Sequence, residues 1–351
     1  MNNSKSSRDE NHVYYDMSLY NNSTQPVIAS MYENRSVPLI ENPNNYHLSC
    51  VRFLIPTSYV PIFRWPKLPN GQPNNAYYSV TIRRAGVDYQ QFLQFVPYNN
   101  VLIADPTYFF VYSYQQFLDA INEAFRLAFV AAAGTATSHP YMVLNQATGL
   151  ISLYAEFAYA NALGEYEIYM NNDLYHFFDN FKVTRNGFSP SITNGKNVML
   201  WIQNNGNNTV AGLTLAIDSY AMQQEYDSLF LFNEARRIIL VSNSIPVQSE
   251  AVNVQNSSNL TSGNSYNKFI TDFEFNIQSG LSNNTLRSYV QYSTIGEYRL
   301  LNMQSNTPLY TFDVQIAIEF ADQTVIPLYI LPNEFISVKL MFRSKKFKSG
   351  L

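Results

Sequence analysis

Residues 312–342 read FDVQIAIEFADQTVIPLYILPNEFISVKLMF. Phe312, Val314, Ile316, Ile318 and Phe320 alternate with Asp313, Gln315, Ala317 and Glu319. A strand with one buried face has this period of two. Residues 321–324 supply a turn and 325–331 a second strand. Pro327 cannot donate to a ladder, which points to an edge or a bulge. After a second turn at 332–334, Ile336, Val338, Leu340 and Phe342 alternate with Ser337, Lys339, Met341 and Arg343. The pattern predicts an antiparallel meander with one buried face.

The same signal recurs upstream. Residues 47–55 read as a strand with Val51, Phe53 and Ile55 on one face and Cys50, Arg52 and Leu54 on the other. Residues 77–84 set Tyr78, Val80 and Ile82 against Tyr77, Ser79, Thr81 and Arg83. Residues 237–242 read as a buried strand, and 198–203 and 209–217 as two more around the polar turn 204–208. One helix is predicted. Ser113 can cap it, Gln116 completes a capping box, and Tyr112 and Phe117 sit where a hydrophobic staple would. Phe117, Ile121, Phe125, Ala128 and Ala132 recur at helical spacing, and Gly134 fits the stop. A hairpin follows, 142–144 and 150–154 around the turn 145–149. Residues 174–181 read as a short aromatic helix or loop.

Many short strands with turn-rich links make the fold class all-β, a jelly-roll-like β-sandwich with an inserted helix-plus-hairpin region at 105–185. Residues 1–36 are polar with scattered Tyr and are expected to form a flexible N-terminal arm, ordered only against a partner. The sandwich is expected over 37–346, with a mobile Ser/Asn/Gly loop at 248–268 and a C-terminal tail at 347–351.

Composition narrows the function. The 351 residues are 46% hydrophobic, which excludes a disordered chain, but only 14% charged. Polarity is carried by Asn, Ser, Gln and Thr, and 27 Tyr favour strand surfaces and broad, wet interfaces. A net charge of −4 provides no strong field toward nucleic acid or anionic membrane. Cys50 is the single cysteine, which excludes an intrachain disulfide. No signal-peptide pattern precedes residue 36, and the best apolar run, 127–133, is too short to span a bilayer. The Asn-x-Ser/Thr triplets at Asn22, Asn34 and Asn259 are what an Asn-rich chain yields by chance.

Catalytic chemistry finds little footing. His12, His47, His139 and His176 sit in no nucleophile or metal signature. Asp173, His176 and Asp179 have a spacing that would bring them near one helical face, but Leu174, Tyr175, Phe177 and Phe178 make the segment a packed aromatic helix first. Glu165 and Glu167 would share a strand face, not a glycosidase cleft. No phosphate loop or dinucleotide fingerprint occurs. Catalytic, cofactor-binding and metal residues are therefore expected to be none, and the chain is expected not to be an enzyme. Arg343, Lys345, Lys346 and Lys348 form a basic C-terminal tail, read either as a solvated end or as a weak contact to nucleic acid or an acidic partner surface.

The order of elements carries a resemblance. FITDFEF (269–275), TIGEYRLLNM (294–303) and the alternating strands to Lys346 resemble the C-terminal half of penton (minor capsid) proteins of polinton-like viruses, adintoviruses and virophages. NPNNYHLSCVRFLIPTSYVPIF (42–63) and YSYQQFLDAINEAFRLAF (112–129) are similar to such proteins too. The resemblance implies a jelly roll, a homopentamer at each vertex of an icosahedral double-stranded DNA virus, and contact with a double jelly-roll major capsid protein. It also implies a place in the virion after synthesis in the host cytoplasm or nucleus. No catalytic residue carries over. The alternatives are a carbohydrate-binding β-sandwich, fibre- or lectin-like, and a hydrolase with a divergent site.

Overall fold

The computed structural model describes residues 12–56, 60–97, 109–134, 136–145, 147–159, 165–178, 181, 197–200, 202, 209–210, 213–214, 219–228, 232, 234–254, 266–274, 289–293 and 299–345. The chain divides into two compact units. One is Met1–Val60, Ala235–Asn276 and Asn284–Leu351; the other is Pro61–Glu234 with Ile277–Asn283.

The first unit is built on β1 (His12–Tyr20), β2 (Ser30–Asn34), β3 (Tyr46–Pro56), β4 (Ala235–Ser242), β5 (Tyr266–Glu274), β6 (Tyr289–Ser293), β7 (Thr311–Phe320) and β8 (Phe335–Ser344). Hydrogen bonding orders them in two antiparallel sheets, β1-β8-β3-β6 and β2-β7-β4-β5. The chain changes sheet at most of its connections, which is the winding of a jelly roll. The sheets pack face to face through aromatics. Tyr15 of β1 meets Phe312 of β7 edge-on at 5.0 Å, and Phe273 of β5 lies 4.2 Å from Phe53 of β3 and 4.1 Å from Tyr292 of β6. The alternation in 312–342 is realised in the core. Val314, Ile316, Ile318, Val338, Leu340 and Phe342 are inaccessible, while Asp313, Glu319 and Lys339 keep partial exposure. Each such aliphatic or aromatic side chain contributes about 1.5–3 kcal/mol by leaving water.

Several expectations are corrected. The arm is not an arm from residue 12 on. β1 pairs with β8 along its whole length, and β2 pairs with the first half of β7. Asn21, buried between them, donates to the carbonyls of Gln25 and Ile330 and accepts from Ser23, so every polar atom of its amide is used. Nor do the last three strands form a meander. Val325–Pro327 pairs with β7, but β8 crosses to the opposite sheet, because Tyr329–Ile330 first pairs with Val27–Ile28 and the turn at Asn333 (φ 65°) redirects the chain.

In β3 the predicted alternation holds from Arg52 to Ile55, with Phe53 and Ile55 buried and Arg52 and Leu54 partly exposed. Arg52 faces Lys339 and Cys50 faces Leu340, so Val51 is an extra, bulged residue, and Leu48 and Cys50 point inward instead. The expected mobile loop is ordered at both ends, where Ala251–Asn253 pairs with β5; residues 255–265 lie outside the described residues.

The second unit enters between β3 and β4 and is larger than the 105–185 insertion read from sequence. Its helix spans Tyr114–Ala132, capped by Ser113, whose hydroxyl accepts from the Gln116 N–H, while the Gln116 side chain accepts from the N–H of Tyr112. The left-handed residue at its end is Ala133 (φ 36°), not Gly134. Gly134 is needed for another reason: a Cβ there would collide with the Tyr166 ring. The helix packs on Ser79–Arg84 and Val87–Phe92, a hairpin turned by Ala85 and Gly86 in the left-handed region.

These two strands form one side of a four-stranded sheet with Tyr166–Asn171 and Asn197–Leu200; the predicted hairpin, Tyr141–Leu144 with Ile151–Glu156, joins Ser219–Gln223 in a second sheet. Asn122 of the helix both donates to and accepts from the backbone of Met142, covering the free edge of that sheet. Phe63, Trp65, Tyr78, Phe117, Phe177 and Phe232 form the aromatic centre of this unit.

Candidate functional site

The residues that could have carried chemistry are dispersed. His12 stacks on Tyr14 in β1, and His139 contacts the carbonyl of Pro140 through Nδ1. His47 lies in β3 opposite Arg343; burial first, then Lys345 and Arg343, lower its pKa, and its Nδ1 has no hydrogen-bond partner. Asp173 and His176 sit in the short helical stretch from Asn172 to Phe178, capped by Asn171. Asp173 hydrogen-bonds the Tyr77 hydroxyl, whose pKa is raised by burial and then by that carboxylate. Asp179 lies outside the described residues. Among the described residues no three His, Cys, Asp or Glu side chains gather as metal ligands would.

Glu165 and Glu167 are cross-strand partners of arginines. Glu165 pairs with Arg84, and Glu167 lies 4.0 Å from Arg83, which is itself held by Asp88. Such pairs rigidify a sheet; they leave no free acid and base. Cys50 is buried, and burial pushes its thiol up to about 12, so it is no nucleophile at neutral pH. No helix among the described residues is long and apolar enough to cross a membrane.

What the molecule offers instead is surface. Among the described residues, β1 is an edge strand of the first unit. Its outer face carries Tyr14 and Tyr20, each more than half exposed. Beside them Asp16 bridges Lys339 (3.3 Å) and Arg52 (3.4 Å), and Lys339 lies over the Tyr14 ring at 5.5 Å. Tyr32 on β2 is 67% exposed. These rings present large contact area at low entropic cost. The second unit presents a groove of about 440 Å³ between residues 92–97 and the outer face of the long helix. Of the basic tail, Lys345 is tied down: its N–H bonds to Asn45 and its Nζ to the carbonyl of Met303. Lys346 and Lys348 lie outside the described residues.

A site made of surfaces on a jelly roll is what a coat protein needs, and the family comparison agrees: residues 13–344 match the family described as Sputnik minor capsid protein V18/19. The chain belongs to that family. It is a structural capsid protein, not an enzyme. Among its relatives, the Sputnik virophage structural protein V19 is 29% identical over 213 residues, 58% of this chain and 94% of that one. The Sputnik virophage protein V18 is 32% identical over 147 residues, 36% of this chain and 86% of that one.

Among solved structures, a chain of the 3.5 Å Sputnik virophage particle is similar with a TM-score of 0.75 and 28% identity, covering 95% of this chain and 98% of that one. The mavirus penton protein is similar in fold, with a TM-score of 0.62 and 19% identity over 95% and 99% of the two chains. The resemblance read from 269–346 is thus confirmed, and the carbohydrate-binding alternative is not favoured.

Proposed function

We propose that this minor capsid protein is a penton: five copies form a ring at each five-fold vertex and meet a major capsid protein of double jelly-roll type around them. The observation that supports this most is the strand order itself. The chain holds a single jelly roll, β1-β8-β3-β6 over β2-β7-β4-β5, and its likeness in fold to a penton protein covers nearly the whole of both chains, inserted unit included. One jelly roll per chain suits a five-fold position, where a ring needs a heterologous contact whose rotation closes. The exposed tyrosines on β1 and β2 supply a surface of the right chemistry, polar-tipped and broad. After synthesis in the host cytoplasm or nucleus the chain ends in the virion.

Cryo-electron microscopy of particles tests this. Density for the chain is expected at the vertices alone. Density on the facets would assign a major capsid role, and density in a protruding fibre would revive the attachment reading. Purified chain is expected to be monomeric or weakly associated, because few strong apolar anchors are exposed on the first unit.

A further inference from the structure

The groove of the second unit has a definite chemistry. Its floor is the small-residue row Ala120 and Ala124, walled by Phe92, Val96 and Leu127. Phe92, Val96 and Leu127 are 40%, 64% and 37% exposed, so the walls are apolar side chains standing in water. Asp119 and Glu123, both exposed, form its rim one helical turn apart. Only Glu123 is paired with a cation, Arg126 (2.6 Å); Asp119 accepts from the Gln115 amide. A volume of about 440 Å³ is ligand-sized. The shape and charge ask for a large apolar ring flanked by cations.

The chain carries such a segment. Residues 345–348 read Lys-Lys-Phe-Lys. Lys345, the residue before this segment's Lys346, is anchored to the first unit by Asn45 and Met303. We infer that the groove is the docking site for the 346–348 segment of a second copy of this chain, Phe347 entering over Ala120 and Ala124 and the lysines meeting Asp119 and Glu123. This inference deepens the penton reading and rests on its premise that the chain assembles with copies of itself. It gives the basic tail a role other than a contact with genome.

A fluorescein-labelled peptide of residues 343–351, titrated with the full chain and followed by anisotropy, tests the docking. Saturable binding is expected, weakened by added salt. The peptide with Phe347→Ser and the chain with Asp119→Lys and Glu123→Lys are each expected to bind at least tenfold more weakly. Both chain substitutions are on exposed helix positions and leave the core untouched. Carbodiimide coupling of amines to carboxylates, on mixed isotope-labelled chains at high concentration, is expected to join Lys346 or Lys348 to Asp119 or Glu123 between differently labelled copies. No peptide binding, equal binding by the charge-reversed chain or the Phe347→Ser peptide, or coupling confined to one label overturns the inference. If particles show five-fold density and the peptide does not bind, the docking fails while the penton reading stands; if the peptide binds and the density lies elsewhere, the reverse holds.

Discussion

The two units solve the same problem, burying strands, by opposite means. The jelly roll pairs strands from the two ends of the described chain: Tyr20 and Asn333, 313 residues apart, share a hydrogen bond. Its edge strands carry exposed tyrosines and charge pairs. The inserted unit builds from local pieces, a hairpin at 79–92, a helix at 114–132 and a hairpin at 141–156, and shields a sheet edge with one asparagine of its helix. Long-range pairing needs specific pins, Asn21 and Asp313 in the jelly roll and, where Ser79–Arg84 meets Tyr166–Asn171 in the inserted unit, Asn171, which accepts from the Ser79 N–H and donates to the Tyr77 carbonyl; the local hairpins lean on the packed helix.

The molecule carries a probe for each half. Trp65 is buried in the inserted unit, whose sequence range also holds the second tryptophan, Trp201, and the lone Cys50 is buried in the jelly roll. The strongest challenge is Ile316→Asp, which puts an unpaired charge in the jelly-roll core and is expected to cost at least about 5 kcal/mol. Cys50 should become reactive to a thiol reagent while tryptophan emission stays native. If both probes move together, the two units are one cooperative body and the contrast fails. Phe125→Ala, in the buried face of the helix, is expected to cost about 3–5 kcal/mol and to shift the tryptophan transition to lower denaturant, with Cys50 still protected.

Asn21→Ala would strand the carbonyl of Ile330 and the N–H of Ser23, costing about 2 kcal/mol. The change should be seen in Cys50 labelling and not in tryptophan emission. Asp313 sharpens the comparison through pH. Burial would raise its pKa, but hydrogen bonds from Ser244, Asn243 and Ser242 outweigh that and hold it below the usual carboxylate range. A depressed folded pKa means the stabilisation is complete above the unfolded value near 4 and fades as pH falls through the lower folded one. Thermal melts of the jelly roll should therefore lose stability on acidification, and Asp313→Asn should flatten that loss. The smallest effect is Ser113→Ala, about 1 kcal/mol from the helix cap, read in the tryptophan transition alone.

Most of the interior was legible in the chain. The inward faces of 312–320 and 336–342 are buried as read, although Ala317 and Met341, assigned to the outer face, are buried too, and the Ser113 cap and its apolar stripe are found where they were expected. β1 was hidden although its inward face, Val13, Tyr15, Met17 and Leu19, alternates too. Tyr, which suits either side of a sheet, stands on both faces at positions 14, 15 and 20 and blurs the period. The bulge at Val51 and the sheet change before β8 have no local signature, since each depends on a partner strand supplied from far along the chain. The surfaces were the least visible. Exposed rings and a groove floored by alanines are properties of neighbours in space, and only the acidic spacing of Asp119 and Glu123 was written in order.

The interruption between β3 and β4 also sets a timetable. On the ribosome, β1, β2 and β3 emerge first and cannot complete their sheets until β7 and β8 are made. Meanwhile residues 61–234 hold nearly all the contacts they need and can fold during translation. The nascent chain thus passes through a stage in which three strands are still open, and their unpaired edges invite pairing with the wrong chain. Closing those edges waits for the last strand, so a subunit truncated before Phe335 is expected to aggregate rather than enter a particle, and only a completed polypeptide has a β1–β8 pair to offer an assembling vertex.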